Sequence, residues 1–292
     1  MTAQDAASAD ILAAVDAWPV DTVAAGLLAP GGTATHGDVD RLFPLASVSK
    51  LITAYSVLIA VEEGAFALDD TVDDVVAEYG ATVDGPSDAT VRELLSHASG
   101  VGMSSREREK PARTRRIYSS AGYEILADLV SATGIDFVDY TRAAVCEPLG
   151  IPEADLDLSG SAGHGFSATV AAMTRIAAEF LSPTLISGQT WDEALTAQFA
   201  DLDGIVPGYG RQTPCPWGLG VEIHGTKSPH WVGSSMPQDV AGHFGQSGTF
   251  LWFHRPSGQA AVVLTDRAFG PWAKERWAGF NDDLWDALQT SS

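Results

Sequence analysis

Ser47 and Lys50 stand three residues apart at the head of the stretch Leu51-Ile52-Thr53-Ala54-Tyr55-Ser56-Val57-Leu58-Ile59-Ala60-Val61. In a helix that spacing puts both side chains on one face, one turn apart. A serine hydroxyl becomes a useful nucleophile only when a neighbour takes its proton. A lysine can do so if burial or a nearby cation keeps it neutral. The helix N-terminus adds unpaired N–H groups and a partial positive charge, which favour developing negative charge. Ser-x-x-Lys alone also describes a serine cap followed by a solvated lysine. The chain holds four lysines, and only Lys50 follows a serine at this distance.

Acyl transfer needs more than a nucleophile and a base: an oxyanion hole, and an acid for the leaving group. Tyr118 is a candidate to share the proton traffic with Lys50. The run His243-Phe244-Gly245-Gln246-Ser247-Gly248 supplies the rest. The backbone amides of Ser47 and Gln246 can form the hole. Gly245 lacks a Cβ and would let substrate backbone approach a strand edge. Each part is expected to come from a different element.

Those elements can be read in outline. An amphipathic helix is expected at 8–17, with Ile11, Leu12 and Val15 on one side and Pro19 after it. Strands are expected at 23–28 and 33–37 around the turn Pro30-Gly31-Gly32. The nucleophile helix is apolar nearly all round, hence buried, and ends near Gly64. From about 65 to 200 the pattern is helical. Thr90-Val91-Arg92-Glu93 reads as a capping box. A polar loop from Arg106 to Arg116 reads as a solvated edge of the cleft. Helices follow through Ile125 to Val130, stopped by Gly134, then at 136–146, 168–181 and 190–199, the last opening on Thr190. Strands return at 217–223, 250–254 and 260–264, and a helix closes the chain at 271–288. Strands at both ends and helices between predict an α+β fold. Residues 1–64 and 205–292 would form one discontinuous domain and 65–204 an inserted helical one, with the site in the cleft between.

The net charge of −21 argues against nucleic acid and anionic membrane surfaces as partners. The N-terminal residues have no basic start and no long apolar core, and no stretch is apolar enough to span a bilayer. The expectation is a cytoplasmic protein. Cys146 and Cys215 lie far apart without metal-like spacing and read as two buried free thiols. Neither a metal nor an organic cofactor is implied. Nothing in the sequence sets the oligomeric state.

The residues now on the page resemble the serine beta-lactamase-like superfamily, on the side of class C beta-lactamases, D-alanyl-D-alanine carboxypeptidases and related esterases. The Ser-x-x-Lys motif is Ser47 to Lys50; Tyr118-Ser119-Ser120 stands where the family has Tyr-x-Asn; His243-Phe244-Gly245 stands as the His-x-Gly form of the third motif. Leu94-Leu95-Ser96-His97-Ala98-Ser99-Gly100, Pro148-Leu149-Gly150 and Trp217-Gly218-Leu219-Gly220 also match, and the likeness runs from about residue 20 to the end. It implies a beta-lactamase/transpeptidase-like fold, an antiparallel sheet flanked by helices with an inserted all-helical domain. It also implies an acyl-enzyme hydrolase with Ser47, Lys50 and Tyr118 as catalytic residues and Ser120, His243, Gly245 and Gln246 at the substrate or oxyanion. Two positions depart from the family. Ser120 replaces an asparagine that helps hold the lysine, and can equally be the cap of the next helix. His243 replaces the more frequent lysine, which weakens recognition of a substrate carboxylate. Small esters are therefore favoured over beta-lactams or D-amino-acid peptides. The alternative is a catalytically decayed binding or sensory module on the same fold. His97 reads as structural. His224, His230 and His254 read as surface or strand residues, Lys227 as a runner-up for the third-motif cation, and Trp217 and Trp252 as possible cleft walls.

Overall fold

The computed structural model describes residues 11–290. Its organising layer is a six-stranded antiparallel sheet. The strands in chain order are β1 (Val23–Ala29), β2 (Gly32–His36), β3 (Phe43–Pro44), β4 (Leu156–Asp157), β5 (Ser167–Ala168), β6 (Gly204–Val206), β7 (Gly210–Gln212), β8 (Glu222–Ile223), β9 (Ala241–Gly245), β10 (Thr249–His254) and β11 (Gln259–Thr265). The main sheet runs β2-β1-β11-β10-β9-β8, so the first strand pairs with the last. Strands β3, β5 and β4 form a small second sheet, and β6 and β7 a hairpin.

Alternation along the strands divides the interior in two, because successive side chains face opposite ways. Leu251, Phe253, Val262 and Leu264 join a core with the Ser49–Glu62 helix. Phe250, Trp252, Ala261 and Val263 join a core with Trp272, Trp277, Phe280, Leu284 and Trp285 of the Pro271–Thr290 helix. Asn281 fixes that helix. Its Oδ1 accepts from Trp252 Nε1 at 2.9 Å and its Nδ2 donates to the Trp231 carbonyl at 3.1 Å. Ile11, Leu12 and Val15 join the same core; the expected helix over 8–17 begins outside the described residues. The helices Val72–Tyr79, Val91–Leu95, Ala121–Ala132, Phe137–Thr141, Val170–Leu181 and Gly188–Ala194 lie between the two ends of the chain. The Val170–Leu181 helix packs on β1, β10 and β11.

Several expected boundaries have visible chemical causes. The Thr90 box is present, with Thr90 and Glu93 capping each other's backbone. The helix expected from Thr190 starts earlier, because the Ser187 hydroxyl accepts from the Thr190 amide. The strand expected over 217–223 is mostly a turn. Only Glu222 and Ile223 join the sheet, and Gly220 sits at φ +90° with its missing Cβ directed at Ala54. The strand edge expected at Gly245 is β9, whose extent over Ala241–Gly245 two glycines hide from propensity. Among the described residues no helix is long and apolar enough to cross a membrane. Both cysteines are free and buried.

Candidate active site

Ser47 lies in a 3-10 turn, Ala46–Val48, that runs straight into the Ser49–Glu62 helix. The turn is pinned on three sides. The Leu45 amide donates to the Phe166 carbonyl at 2.9 Å, the Leu45 carbonyl accepts from Thr249 Oγ1 at 3.0 Å, and Ser49 Oγ accepts from the Phe166 amide at 3.1 Å. Ala46 is held at φ +45°, a conformation that costs a non-glycine residue about 1 kcal/mol or more. Ala46 and Gly245 meet here. A Cβ on Gly245 would lie 2.3 Å from the Leu45 carbonyl oxygen and 3.1 Å from Ala46 Cβ. The close approach that Gly245 permits is thus to the turn that carries Ser47.

Lys50 is fully buried, inside a helix whose residues 49–60 are all buried. Its Nζ donates to the Gly163 carbonyl at 2.6 Å and to Ser120 Oγ at 3.0 Å, and stands 3.4 Å from Ser47 Oγ. Burial lowers its pKa to about 7, against a smaller upward pull from Glu124. The Ser120 hydroxyl is therefore turned toward Lys50. Capping of the Ala121–Ala132 helix falls instead to its neighbour, as Ser119 Oγ accepts from the Gly122 amide at 2.8 Å. The Gly163 carbonyl has no signature in the sequence, since any residue carries one. What shows is its glycine: a Cβ there would lie 2.6 Å from the Ser120 carbonyl oxygen.

Tyr118 lines the same cleft as Ser47. Lys50 Nζ lies 4.7 Å from the Tyr118 ring centre. Burial raises the Tyr118 pKa well above the usual phenol range, so the hydroxyl is protonated at neutral pH. His243 explains which way that proton points. Its Nδ1 bonds the Phe244 carbonyl at 2.6 Å, which makes Nδ1 the protonated nitrogen. Nε2 is then an acceptor, 3.2 Å from the Tyr118 oxygen. Burial lowers the His243 pKa to about 3, with Lys50 acting in the same direction. The imidazole is neutral. His97 packs on Tyr118 and Trp217, each at 4.7 Å between ring centres, and its Nδ1 accepts from the Ser119 amide at 3.1 Å. It shapes the loop that carries Tyr118.

Ser47, Tyr118, His243 and Gln246 line one cleft with Met103, Val206, Pro207, Trp217, Glu222 and Phe244; its cavity volume is about 30 Å³. Among the described residues neither the Ser47 nor the Gln246 amide is used in an internal hydrogen bond. Met103, Glu222 and the hairpin tip at Val206 and Pro207 carried no motif. Trp252 is not a wall; it faces the core on the far side of the sheet. His224 and His230 are not at the surface. They stack 5.1 Å apart, and His230 Nε2 donates to Glu222 Oε1 at 2.9 Å. Lys227 is buried against the same carboxylate at 3.3 Å. The arginine-rich loop is exposed over most of 106–115, as expected, and turns inward only at its end. The Arg116 guanidinium is buried on the carbonyls of Ser96, Gln198, Phe199 and Cys215. Arg108 grips Asp88 with one nitrogen on both oxygens, at 2.8 and 2.9 Å. Among the described residues no group of three or more His, Cys, Asp or Glu is arranged to hold a metal ion.

A sheet covered by helices, with a Ser-x-x-Lys turn seated on one strand and a Tyr and a His-x-Gly run facing it, defines the beta-lactamase/transpeptidase-like fold. The beta-lactamase family model matches residues 2–283, and the chain belongs to that family. A beta-lactamase from Mycobacterium bovis is 42% identical, with a TM-score of 0.87 over 95% of this chain and 99% of that one. A D-stereospecific amidohydrolase from Streptomyces sp. is 16% identical, with a TM-score of 0.71 over 99% of each chain. The simvastatin synthase of Aspergillus terreus is 16% identical, with a TM-score of 0.74 over the whole of both chains. At such identities the likeness of the last two is one of fold. No curated protein matches the chain.

Proposed function

We propose that the protein is a serine hydrolase that forms an acyl-enzyme on small esters, with amides second. The observation that carries this is Lys50, buried, 3.4 Å from Ser47 Oγ and with its pKa lowered to about 7. A neutral amine beside the hydroxyl is what a weak nucleophile needs. Ser47 attacks the carbonyl and its proton passes to Lys50. The amides of Ser47 and Gln246 receive the oxyanion. Tyr118 stays a phenol, held by His243 Nε2, and its hydroxyl lies where a proton can move between Ser47 and the leaving group. Lys50 is the better base of the two, because burial pushes Tyr118 away from ionisation and Lys50 toward neutrality. Water then repeats the cycle on the acyl-enzyme.

Ser120 motivated the alternative of a decayed binding or sensory module. Its hydroxyl accepts from Lys50 at 3.0 Å, so the contact expected of the usual asparagine is kept. The test is intact mass after incubation with a fluorophosphonate. One adduct on the wild type and none on Ser47→Ala supports an activated Ser47. No adduct on either would leave the fold as a binding module.

A further inference from the structure

The cleft at Ser47 is small and largely apolar. Its cavity volume is about 30 Å³, room for about two or three water-sized groups. Met103, Val206, Pro207, Trp217 and Phe244 supply its apolar lining. Val206, Trp217 and Phe244 are each less than 5% exposed and make its closed end. Met103 is 52% exposed and stands at its mouth.

The lining has little room to retreat. Val206 sits at the tip of the β6–β7 hairpin. The base of that hairpin is tied down by the Arg116 amide, which donates to the Asp203 carbonyl at 2.8 Å. Its turn is closed by the Tyr209 amide, which donates to the Val206 carbonyl at 2.9 Å. At Gly208, φ +80°, the turn runs so close to Phe269 that a Cβ would lie 2.5 Å from the ring. Phe244 packs on the same Phe269 at 5.0 Å and edge-on to Tyr209 at 5.8 Å between ring centres. Val206, Phe244 and Tyr209 all belong to the core around Trp277. Met103 is held from another element. Its carbonyl accepts from the Ser120 and Ala121 amides at 2.8 and 3.2 Å, where the Ala121–Ala132 helix begins. The Gly102 carbonyl beside it accepts from Ser119 Oγ at 2.7 Å. Close-packed walls of this kind yield little to added methylenes.

We propose that the closed apolar end is an acyl-size filter, which limits the acyl group on Ser47 to about two or three carbons. The proposal rests on the hydrolase reading above. An acyl-enzyme divides its substrate: the leaving group departs through the mouth, while the acyl group stays on Ser47 until water arrives. The closed end therefore takes the acyl group, with Val206 setting its depth and Met103 covering it from the mouth. Acetyl and propionyl esters fit; butyryl and longer esters do not. The length of the alcohol is not filtered.

The acetate and butyrate of p-nitrophenol test this, since they share a leaving group and differ by two methylenes. With each rate divided by the uncatalysed one, we expect wild-type kcat/KM to favour the acetate by roughly tenfold or more. Val206→Ala deepens the closed end and should narrow that ratio several-fold. Met103→Ala should narrow it as well, and decides the matter if Val206→Ala fails to fold, because an exposed side chain is not needed for the core. The acetates of ethanol and hexanol, followed by acid release, should differ less than the two acyl groups do. Equal turnover of p-nitrophenyl acetate and butyrate by the wild type overturns the proposal. So does a ratio that neither folded variant moves, or stronger discrimination among alcohols than among acyl groups. Should no ester be turned over and no fluorophosphonate adduct form on Ser47, the hydrolase reading is what fails. Affinity of Ser47→Ala protein for the same two p-nitrophenyl esters then reads the size limit without turnover, and equal affinity overturns it.

Discussion

Lys50 shows how one residue can be useful and costly at once. Its buried amine titrates near 7 in the folded protein, against an ordinary value of 10.5. An unfolded chain therefore binds a proton between about pH 7 and 10.5 that the folded chain does not. Stability rises with pH wherever the unfolded state holds more protons, so this residue's penalty is full below about pH 7 and fades above it. On the proposed mechanism, activity would follow the same titration for a different reason, since only the neutral amine could take the Ser47 proton. We expect kcat/KM for a neutral ester to climb through about pH 7 and level off, and Lys50→Arg, which stays charged, to lose at least roughly a hundredfold. Lys50→Met should be inactive, and its melting temperature relative to wild type should fall as pH is raised from 7 to 9. A flat activity profile through neutrality, or a wild-type deficit unchanged with pH, would count against the buried neutral lysine. At this scale the sequence carried Ser47, Lys50, Tyr118, Ser120, His243 and Gln246 through residue type and spacing. It could not carry the Gly163 carbonyl, because a backbone oxygen has no letter. Nor did it carry Glu222, which lines the same cleft without belonging to a motif.

The elements that hold these residues were legible to different degrees, for reasons of pattern. The Ser49–Glu62 helix announced itself by a long, nearly unbroken apolar run, and β10 and β11 by short apolar runs on either side of Pro256 and Gly258. Strand β9 was hidden because Gly242 and Gly245 remove the side chains that mark a strand. Their absence is functional packing: a Cβ at Gly242 would lie 2.1 Å from the Leu251 carbonyl, and one at Gly245 would enter the Ser47 turn. The loop before Arg116 is exposed, as its charge suggests, but the sequence does not show that Arg116 itself turns onto a set of buried carbonyls. The seating of the turn on β9 makes a sharp case. We expect Gly245→Ala to push Leu45 and Ala46 off the strand, at about 1–3 kcal/mol of stability from overpacking. The larger effect should be on kcat, since a shift near 1 Å in a reacting group costs about a hundredfold. Steady-state kinetics beside a denaturant titration separates the two. A folded Gly245→Ala enzyme with unchanged kcat would show that the nucleophile's position does not depend on this contact.

Across the whole molecule, two cores clamp one sheet while the surface carries a large excess of acid. The charge of −21 comes from 38 acidic and 17 basic residues. Many of the basic residues are already spoken for, in pairs such as Arg92 with Asp69 and Glu193, Arg106 with Asp128, and Arg113 with Glu93. What remains is a field of unpaired carboxylates around a compact body. Two effects then compete as salt is added. Screening weakens the exposed ion pairs, each worth about 0–1 kcal/mol. It also weakens the self-repulsion of the net charge, which favours expansion of the chain. Because acids outnumber bases by more than two to one, the second effect should win. We expect the melting temperature at pH 7.5 to rise by several degrees between 0.05 and 0.5 M sodium chloride, most steeply at the low end where the screening length, about 10 Å at 0.1 M, is changing fastest. The rise should be matched by sodium nitrate at equal ionic strength below about 0.2 M, which separates screening from ion-specific effects on apolar burial. A melting temperature that is flat or falls over this range would mean that the paired arginines, not the net charge, set the electrostatic balance of the fold.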